Sequence, residues 1–307
     1  MLGSSGVGWH EIGELLAGRG DALPKGARAI VLYVRLPRII AALAAGAALA
    51  VAGLLLQVVL SNILASPSIL GMNSSAGFMV VLAAVAFPYS WFSRFGAAFV
   101  GSLLAAAMVY FLARNMGQTR RVIILAGVAI GSLFGAGSEV VITLFPDTVF
   151  DKQAFTIGGF ANVQLALAVP FALIIVAALA GAMLLGAQLD VLLLGDEVAA
   201  AVGLNVRATR GIAMLLAALL AAAAVSLGGL LSFVGLLVPH ALRTLVGQKH
   251  RALLPLCALW GGAFLLLCDT LARLLFAPHD LPVGLILALL GAPFFLSLIL
   301  RKKGRGM

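Results

Sequence analysis

Charged residues are scarce in this sequence, and their scarcity decides its class. Of the 307 residues only 10% are charged, whereas 63% are hydrophobic and the mean hydropathy is +1.16. This apolar content exceeds what a soluble core needs, so the sequence predicts an all-α polytopic membrane protein surrounded by lipid. The net charge of +9 comes from 20 Lys and Arg in short clusters between apolar runs. Membrane topology explains those clusters better than nucleic-acid binding does.

Residues for metal, redox or nucleotide chemistry are equally scarce. The two cysteines, Cys257 and Cys268, lie ~16 Å apart along one helix axis, too far for a disulfide or a shared metal site. The four histidines show no metal-ligand spacing; they are His10, His240, His250 and His279. No Gly-x-x-x-x-Gly-Lys-Ser/Thr motif occurs. We therefore predict no metal, cofactor or catalytic residue in this chain, and any ATP and Mg²⁺ would be held by a separate subunit.

Nine apolar runs divide one transmembrane domain, predicted over residues 34–301. Residues 1–33 form an external N-terminal segment without the apolar core of a signal peptide. Residues 302–307 form a basic cytoplasmic tail. The apolar runs lie near 36–59, 68–88, 92–113, 122–145, 163–187, 211–231, 233–246, 252–276 and 282–300. The seventh run is short, so we predict about nine transmembrane helices.

Clustered cations orient these spans. If the C-terminal tail is cytoplasmic, strict alternation makes 114–121, 188–210 and 243–251 cytoplasmic as well. With the tail, these regions hold twelve Lys and Arg against three acids, as the positive-inside rule expects. The N-terminus then lies outside, and the five cations of residues 1–38 are the one discordant element.

The stretch 229–251 is unusual for a membrane helix because it contains Gly235, Pro239, His240 and Arg243. Backbone groups in hydrocarbon must be satisfied internally. Such a break is therefore tolerable only where protein or an aqueous cavity surrounds it. We predict that the Pro239-His240 pair lies at the mouth of a pathway or against a partner.

A short helix is predicted within 188–210, the longest polar stretch of the inner face. It begins at Gly195-Asp196-Glu197, with acids in its first turn, and ends at Gly203-Leu204. Two interpretations remain open. The segment is either a solvated loop or a rigid lever that receives force from a cytosolic protein.

Small and acidic residues mark the fourth run. Gly127, Gly131 and Gly135 share one helix face, a pattern that allows close approach of another backbone. This face either packs against a neighbouring helix or lines a dimer axis or pathway. Glu139 follows on the same run, and an unpaired carboxylate there would be protonated or face water. It is therefore a candidate pathway residue.

Arginines cluster at the predicted outer face. Arg35 and Arg38 flank Pro37 at the start of the first run. They are either interfacial anchors or exposed cations placed to meet carboxylates of a soluble partner. Asp269 and Arg273 are four positions apart, so they can pair within one helix. That pair is either structural or part of a functional site.

Six motifs, in order, resemble the permease subunits of bacterial type II ABC importers, which move ferric siderophores, haem and cobalamin. The similarity runs from Val34 to Arg301. Its landmarks are Arg35-Leu-Pro-Arg38 through Gln57, Asn62-Ile-Leu-Ala-Ser-Pro67, Leu125-Ala-Gly127, Gly195-Asp-Glu197 through Leu204, Ser232-Phe-Val-Gly235 through His240, and Asp269-Thr-Leu-Ala-Arg273.

The resemblance implies roles for matching positions. Gly195, Asp196, Glu197, Ala201, Gly203 and Leu204 would form the coupling helix that seats in a groove of the ATPase. Arg35, Arg38 and Arg273 would offer cations to glutamates of the substrate-binding protein, and Gln118 and Thr119 would lie near the inner gate. Such permeases usually have ten spans, and the first has no counterpart in this sequence. In addition, Ile63 stands where they usually have proline.

The function that the resemblance implies is import of an iron complex across the bacterial inner membrane. The permease would pair with a second copy or a paralogue, with two cytosolic ATPases, and with a periplasmic or lipid-anchored binding protein. ATP-driven closure would push the 195–204 helices and switch the cavity between outward and inward openings.

Two other classes make different demands on the residues. An ion-gradient-driven secondary transporter needs polar sites at broken helices near the midplane, where only Glu139 qualifies. A membrane enzyme needs paired carboxylates, a histidine cluster or a nucleophile with its base, and the sequence shows none.

Overall fold

The computed structural model describes residues 28–115, 120–275 and 279–303, and this part of the chain is helical with no strand. Three connections contain short helical turns, which are π-helical at Ile30–Arg35 and 3₁₀-helical at Pro67–Leu70 and Pro146–Thr148. The α-helices are α1 Leu36–Val59, α2 Met72–Ala86, α3 Trp91–Asn115, α4 Arg120–Leu144, α5 Val149–Ile157, α6 Leu165–Leu184, α7 Gly186–Leu192, α8 Asp196–Ala201, α9 Val206–Gly228, α10 Val234–Val246, α11 His250–Leu274 and α12 Val283–Lys303.

Every predicted apolar run contains a helix. Within the described residues, six helices are long and apolar enough to cross a membrane, namely α1, α3, α4, α6, α9 and α11. The apolar parts of α2, α10 and α12 are shorter. The all-α, multi-pass architecture is therefore confirmed, while the count of nine crossings stays a prediction.

Helix α1 is the centre of the bundle, with most of its side chains buried among α6, α9, α10 and α11. Glycines allow this close packing. A Cβ on Gly46 would overlap the carbonyl group of Gly261 on α11, and one on Gly53 would overlap Gly235 on α10. Close backbone approach through small residues is how membrane helices associate without a hydrophobic driving force between them.

Alternation of direction places the helix ends at two opposite faces. The starts of α1, α3, α6 and α12 share one face with the ends of α2, α4, α9 and α11, and we call it the outer end, after the topology that the cations predict. Connections pack together here: Gly159 N–H donates to the Gly228 carbonyl at 2.8 Å, and Leu230 N–H donates to Phe155 at 3.0 Å. The opposite face is the inner end, and it carries α7 and α8.

Helix α10 begins inside the bundle rather than at a surface. Five non-helical residues, 229–233, separate it from α9, and Phe233 has a left-handed φ of 67°. The first turn then lies against the middle of α1, because Gly235 meets Leu49 and Gly53. Protein therefore surrounds the first turn of α10 in the unusual 229–251 stretch, whereas Ser232 in the break is exposed.

Candidate transport and coupling sites

A buried cluster of arginine and carboxylate groups joins three helices at the outer end. Asp269 of α11 has no exposed surface, and Arg38 of α1 is 6% exposed. The Arg38 Nε donates to the two Asp269 oxygens at 3.1 and 2.9 Å, and its Nη2 donates to Oδ1 at 2.9 Å. Its Nη1 also donates to Asp280, just before α12, at 3.2 Å. Such forked, charge-assisted bonds are strong and directional, so the cluster fixes α11 and the start of α12 to α1.

This geometry corrects one expectation for the outer arginines. Arg35 is only 4% exposed and Arg38 6%, so neither is the exposed cation that the sequence suggested. The Asp269–Arg273 pair does form, at 3.5 Å, but Arg38 is the closer partner. Helical spacing identified the neighbour four positions away and could not identify one 231 positions away.

The inner end carries the short helix predicted within 188–210, now seen as α8. Its flanking glycines have positive φ angles, 97° at Gly195 and 85° at Gly203. Because a Cβ at either position would meet no atom within 4 Å, backbone conformation rather than space favours glycine there. Asp196 pairs with Arg210 at 2.7 Å, which attaches the start of α8 to α9.

Apolar side chains cover the free face of α8. Ala199 is fully buried and anchors the helix, whereas Val198 is 47% and Val202 65% exposed. Glu197 and Ala201 are exposed beside them, and Leu204 is half-buried. An apolar face at a polar, charged end of the molecule makes α8 a candidate contact surface. The acids and glycines of the segment predict a capped helix, and no sequence signal singled out these valines.

The protein-family model for the FecCD transport family matches residues 1–301. The chain belongs to this family. It is 41% identical over 283 residues to a hemin transport system permease protein of Yersinia pestis, covering 89% of this chain and 84% of that protein. It is 38% identical over 291 residues to a cobalamin import system permease protein of Halobacterium salinarum, covering 93% of this chain and 77% of that protein.

The fold of this FecCD chain also matches a solved structure, an inward-facing conformation of a metal-chelate type ABC transporter. The TM-score is 0.82 with 29% sequence identity, and the match covers 91% of each chain. Together with the family match, this result confirms the resemblance to importer permeases and the permease fold.

Pro239 explains a buried glutamine in this FecCD chain. Proline has no N–H, so the carbonyl four residues earlier, on Gly235, lacks its helical partner. Gln57 of α1 replaces that partner, because its Nε2 donates to the Gly235 oxygen at 2.9 Å. His240 beside Pro239 packs its ring against Phe294 of α12 at 5.8 Å. These contacts are internal, and a pathway or partner role for Pro239 and His240 stays a prediction.

The glycine face of α4 packs in part against the connection between α1 and α2. A Cβ on Gly127 would overlap the Ile69 carbonyl, and one on Gly131 would touch Gly71. A Cβ on Gly135 would meet nothing within 4 Å. The packing interpretation therefore holds for Gly127 and Gly131, and Gly135 remains a pathway candidate on sequence grounds alone.

Glu139 is not the unpaired carboxylate that the sequence suggested. Its Oε1 accepts from Lys152 Nζ of α5 at 2.6 Å, and its side chain is 71% exposed. The sequence did not predict that Lys152 pairs with Glu139, because Lys152 lies on a separate short helix at the outer end. The two other gate candidates, Gln118 and Thr119, lie outside the described residues.

Proposed function

We propose that this chain is the membrane-spanning permease subunit of an ATP-driven importer in the inner (cytoplasmic) membrane of a bacterium. Its cargo is an iron complex, a ferric siderophore or haem, or else cobalamin. ATP is hydrolysed on two separate cytosolic ATPase subunits. A periplasmic or lipid-anchored binding protein delivers the cargo.

The observation that carries this proposal is the form of α8. It is a short helix, held by glycines with positive φ at both ends and anchored by buried Ala199. It presents exposed valines and acids at the end where cations cluster. A rigid projection with an apolar face suits a groove on a soluble partner, and movement of that partner would displace the projection as a unit.

The cargo pathway lies between two permease chains in this proposal, two copies or one with a paralogue. A cavity of about 240 Å³ opens at the outer end beside Arg38, Phe155 and Asp280. This outer cavity is smaller than the ~300–1,000 Å³ of pockets that hold drug-sized ligands. A second cavity, of about 740 Å³, lies between α3 and α9 beside Tyr110, Asn205 and Gly211. In addition, α4 leaves apolar side chains exposed along its length, including Leu125, Val128 and Leu133. Covering that face with a second chain would bury it and border a larger passage.

The outer arginines remain our candidates for binding-protein docking, acting through their charge because Arg35 and Arg38 are themselves buried. Arg35, Arg38 and Arg273 lie near one another at the outer end, together with Asp269 and Asp280. A group of three guanidinium groups at this end would attract an acidic partner. Asp269 would then position Arg38 rather than compete with the partner for it.

An ion-gradient-driven secondary transporter is the competing function, and the position of Glu139 argues against it. Such a transporter places acids at broken helices near the midplane. Here Glu139 pairs with Lys152 and is mostly exposed near the outer end, while Gln57 satisfies the carbonyl that Pro239 leaves without a helical partner in α10.

Reconstitution tests this function directly. The chain would be co-expressed with candidate ATPase and binding-protein genes from its own locus and placed in proteoliposomes. Stimulation of ATP hydrolysis by binding protein loaded with ferric siderophore, but not by empty protein, is the expected result. Uptake that persists without ATP and collapses with an uncoupler would establish the secondary transporter instead.

A further inference from the structure

Asp190 of α7 caps the start of α11 from 60 positions away. Its Oδ1 accepts from the backbone N–H of His250 at 2.5 Å and lies 3.0 Å from the His250 ring Nδ1. A carboxylate can only accept, so the ring contact requires that Nδ1 carry the proton and donate. His250 is 1% exposed, and its ring contact with Asp190 is therefore largely shielded from water.

Packing reinforces this attachment of α7 to α11. Leu189 and Leu192 of α7 are buried in the main core. A Cβ on Gly186 would lie 3.2 Å from both Cα and Cγ of Arg251, so the two backbones are already close. Helix α7 therefore moves with the first turn of α11 as one body.

Helix α7 is also joined to α8 through only three residues, 193–195. Helix α11 continues for 25 residues to the outer end, about 36 Å away. There Asp269 holds Arg38 of α1. A continuous series of contacts thus runs from the exposed valines of α8, through Asp190 and His250, to the buried outer cluster.

We propose that Asp190 and His250 form a latch that transmits displacement of α8 to α11, and so to the outer arginine cluster. Both are positioning residues that act through α11 without touching cargo or nucleotide. This inference rests on the proposed function, in which an ATPase moves α8.

The other attachment of α8 is weaker than the latch. Asp196 and Arg210 pair at 2.7 Å, but the Asp196 side chain is about half exposed. Water and salt screen such a pair, and exposed pairs contribute little. In the latch, Asp190 accepts one hydrogen bond from the buried His250 ring and one from the backbone N–H that begins α11. This two-bond, charge-assisted contact resists displacement better than the Asp196–Arg210 pair does. Breaking the latch should therefore leave α8 in place on the ATPase but disconnected from α11.

The experiment compares variants in the reconstituted complex by two readouts, loaded-binding-protein-stimulated ATP hydrolysis and cargo transported per ATP. Asp190→Ala removes both bonds, His250→Ala removes only the ring bond, and Asp190→Asn keeps an amide oxygen that can accept both. Asp147→Ala, an exposed carboxylate of the outer end, is the matched control.

We expect Asp190→Ala to keep assembly and ATP hydrolysis while transport per ATP falls about fivefold or more, the scale of a typical coupling free energy. Transport per ATP should fall less in His250→Ala and should be mostly retained in Asp190→Asn. In Asp147→Ala it should equal that of the unmodified protein. The double variant Asp190→Ala with His250→Ala should fall no further than Asp190→Ala alone.

An unchanged transport ratio in Asp190→Ala, or equal losses in Asp190→Ala and Asp190→Asn, would overturn the latch. If Asp190→Ala does not assemble, the transport ratio of His250→Ala tests the latch instead, because this variant retains the backbone cap. Failure of the unmodified protein to couple ATP to transport would instead count against the proposed function, so the two failures are distinguishable.

Discussion

The outer cluster and the inner helix α8 use charge in opposite ways. At the outer end, Asp269 and Arg38 are buried and bonded to each other in a fork. At the inner end, Glu197 is exposed, and the half-exposed Asp196 pairs with Arg210. Buried pairs fix helices because breaking one leaves an uncompensated charge. Loss of an exposed acid on a short helix changes the free energy of unfolding very little. The outer cluster is therefore part of the structural framework, whereas α8 is a candidate contact surface.

Asp269→Asn should cause the largest effect, by breaking the framework. The substitution removes the buried carboxylate of Arg38 and leaves the guanidinium only the half-exposed Asp280, a loss of about 3–5 kcal/mol in the free energy of unfolding. Thermal unfolding of the purified protein in detergent measures it. Asp280→Asn is the control and should cost far less, because Asp280 is half exposed and makes one bond to Arg38. Equal losses in the two variants would contradict the assignment of Asp269 as the framework residue.

Val202→Asp tests the contact surface and should act on association rather than on folding. Val202 is mostly exposed, so the melting temperature should hold. Co-purification with the ATPase should weaken about fivefold or more, as for a central interface residue. Phe150→Ser removes an exposed apolar side chain at the outer end and should leave ATPase binding unchanged. Loss of binding in both variants would show that α8 is not the ATPase contact.

Gly203→Ala tests whether the backbone shape at the end of α8 matters for coupling. It strains the backbone there but creates no steric overlap. The positive φ of 85° costs a non-glycine residue about 1–2 kcal/mol, although a Cβ there would meet no atom. We expect transport per ATP to fall while ATPase binding persists. Gly96→Ala is a matched control, since a Cβ there also meets no atom. If Gly203→Ala transports normally, the shape of this turn is not needed for coupling.

Glu139→Gln should give the smallest effect. Its pair with Lys152 is solvent-exposed, so its loss should cost about 0–1 kcal/mol in unfolding free energy. ATP-driven uptake in proteoliposomes should stay close to that of the unmodified protein. Lys152→Gln should behave alike. Abolished uptake in Glu139→Gln alone would return this carboxylate to the cargo pathway.

The sequence predicted features that depend on local pattern. Apolar runs located the nine apolar helices found among the described residues, and acids followed by glycine located α8 between Asp196 and Ala201. Helical spacing also predicted the pairing of Asp269 with Arg273. Each of these signals spans a few turns of chain, so one sequence is enough to detect it.

Contacts between residues far apart in the chain could not be predicted from the sequence. Arg38 meets Asp269, Gln57 meets Gly235, and Asp190 meets His250 only after the helices pack. No periodicity links positions 60 to 231 residues apart. For this reason the sequence left Arg38 as either an interfacial anchor or an exposed cation, and it gave Gln57 no role.

The glycine contacts of α1 have a consequence for how the protein opens locally. Gly46 and Gly53 place α1 against the backbones of α11 and α10, and this central helix is almost wholly enclosed. Local opening of α1 would require separation of all its neighbours. In hydrogen–deuterium exchange, its amides from Ala41 to Val59 should therefore be among the slowest to acquire deuterium. The amides of the exposed helix α8 should exchange early.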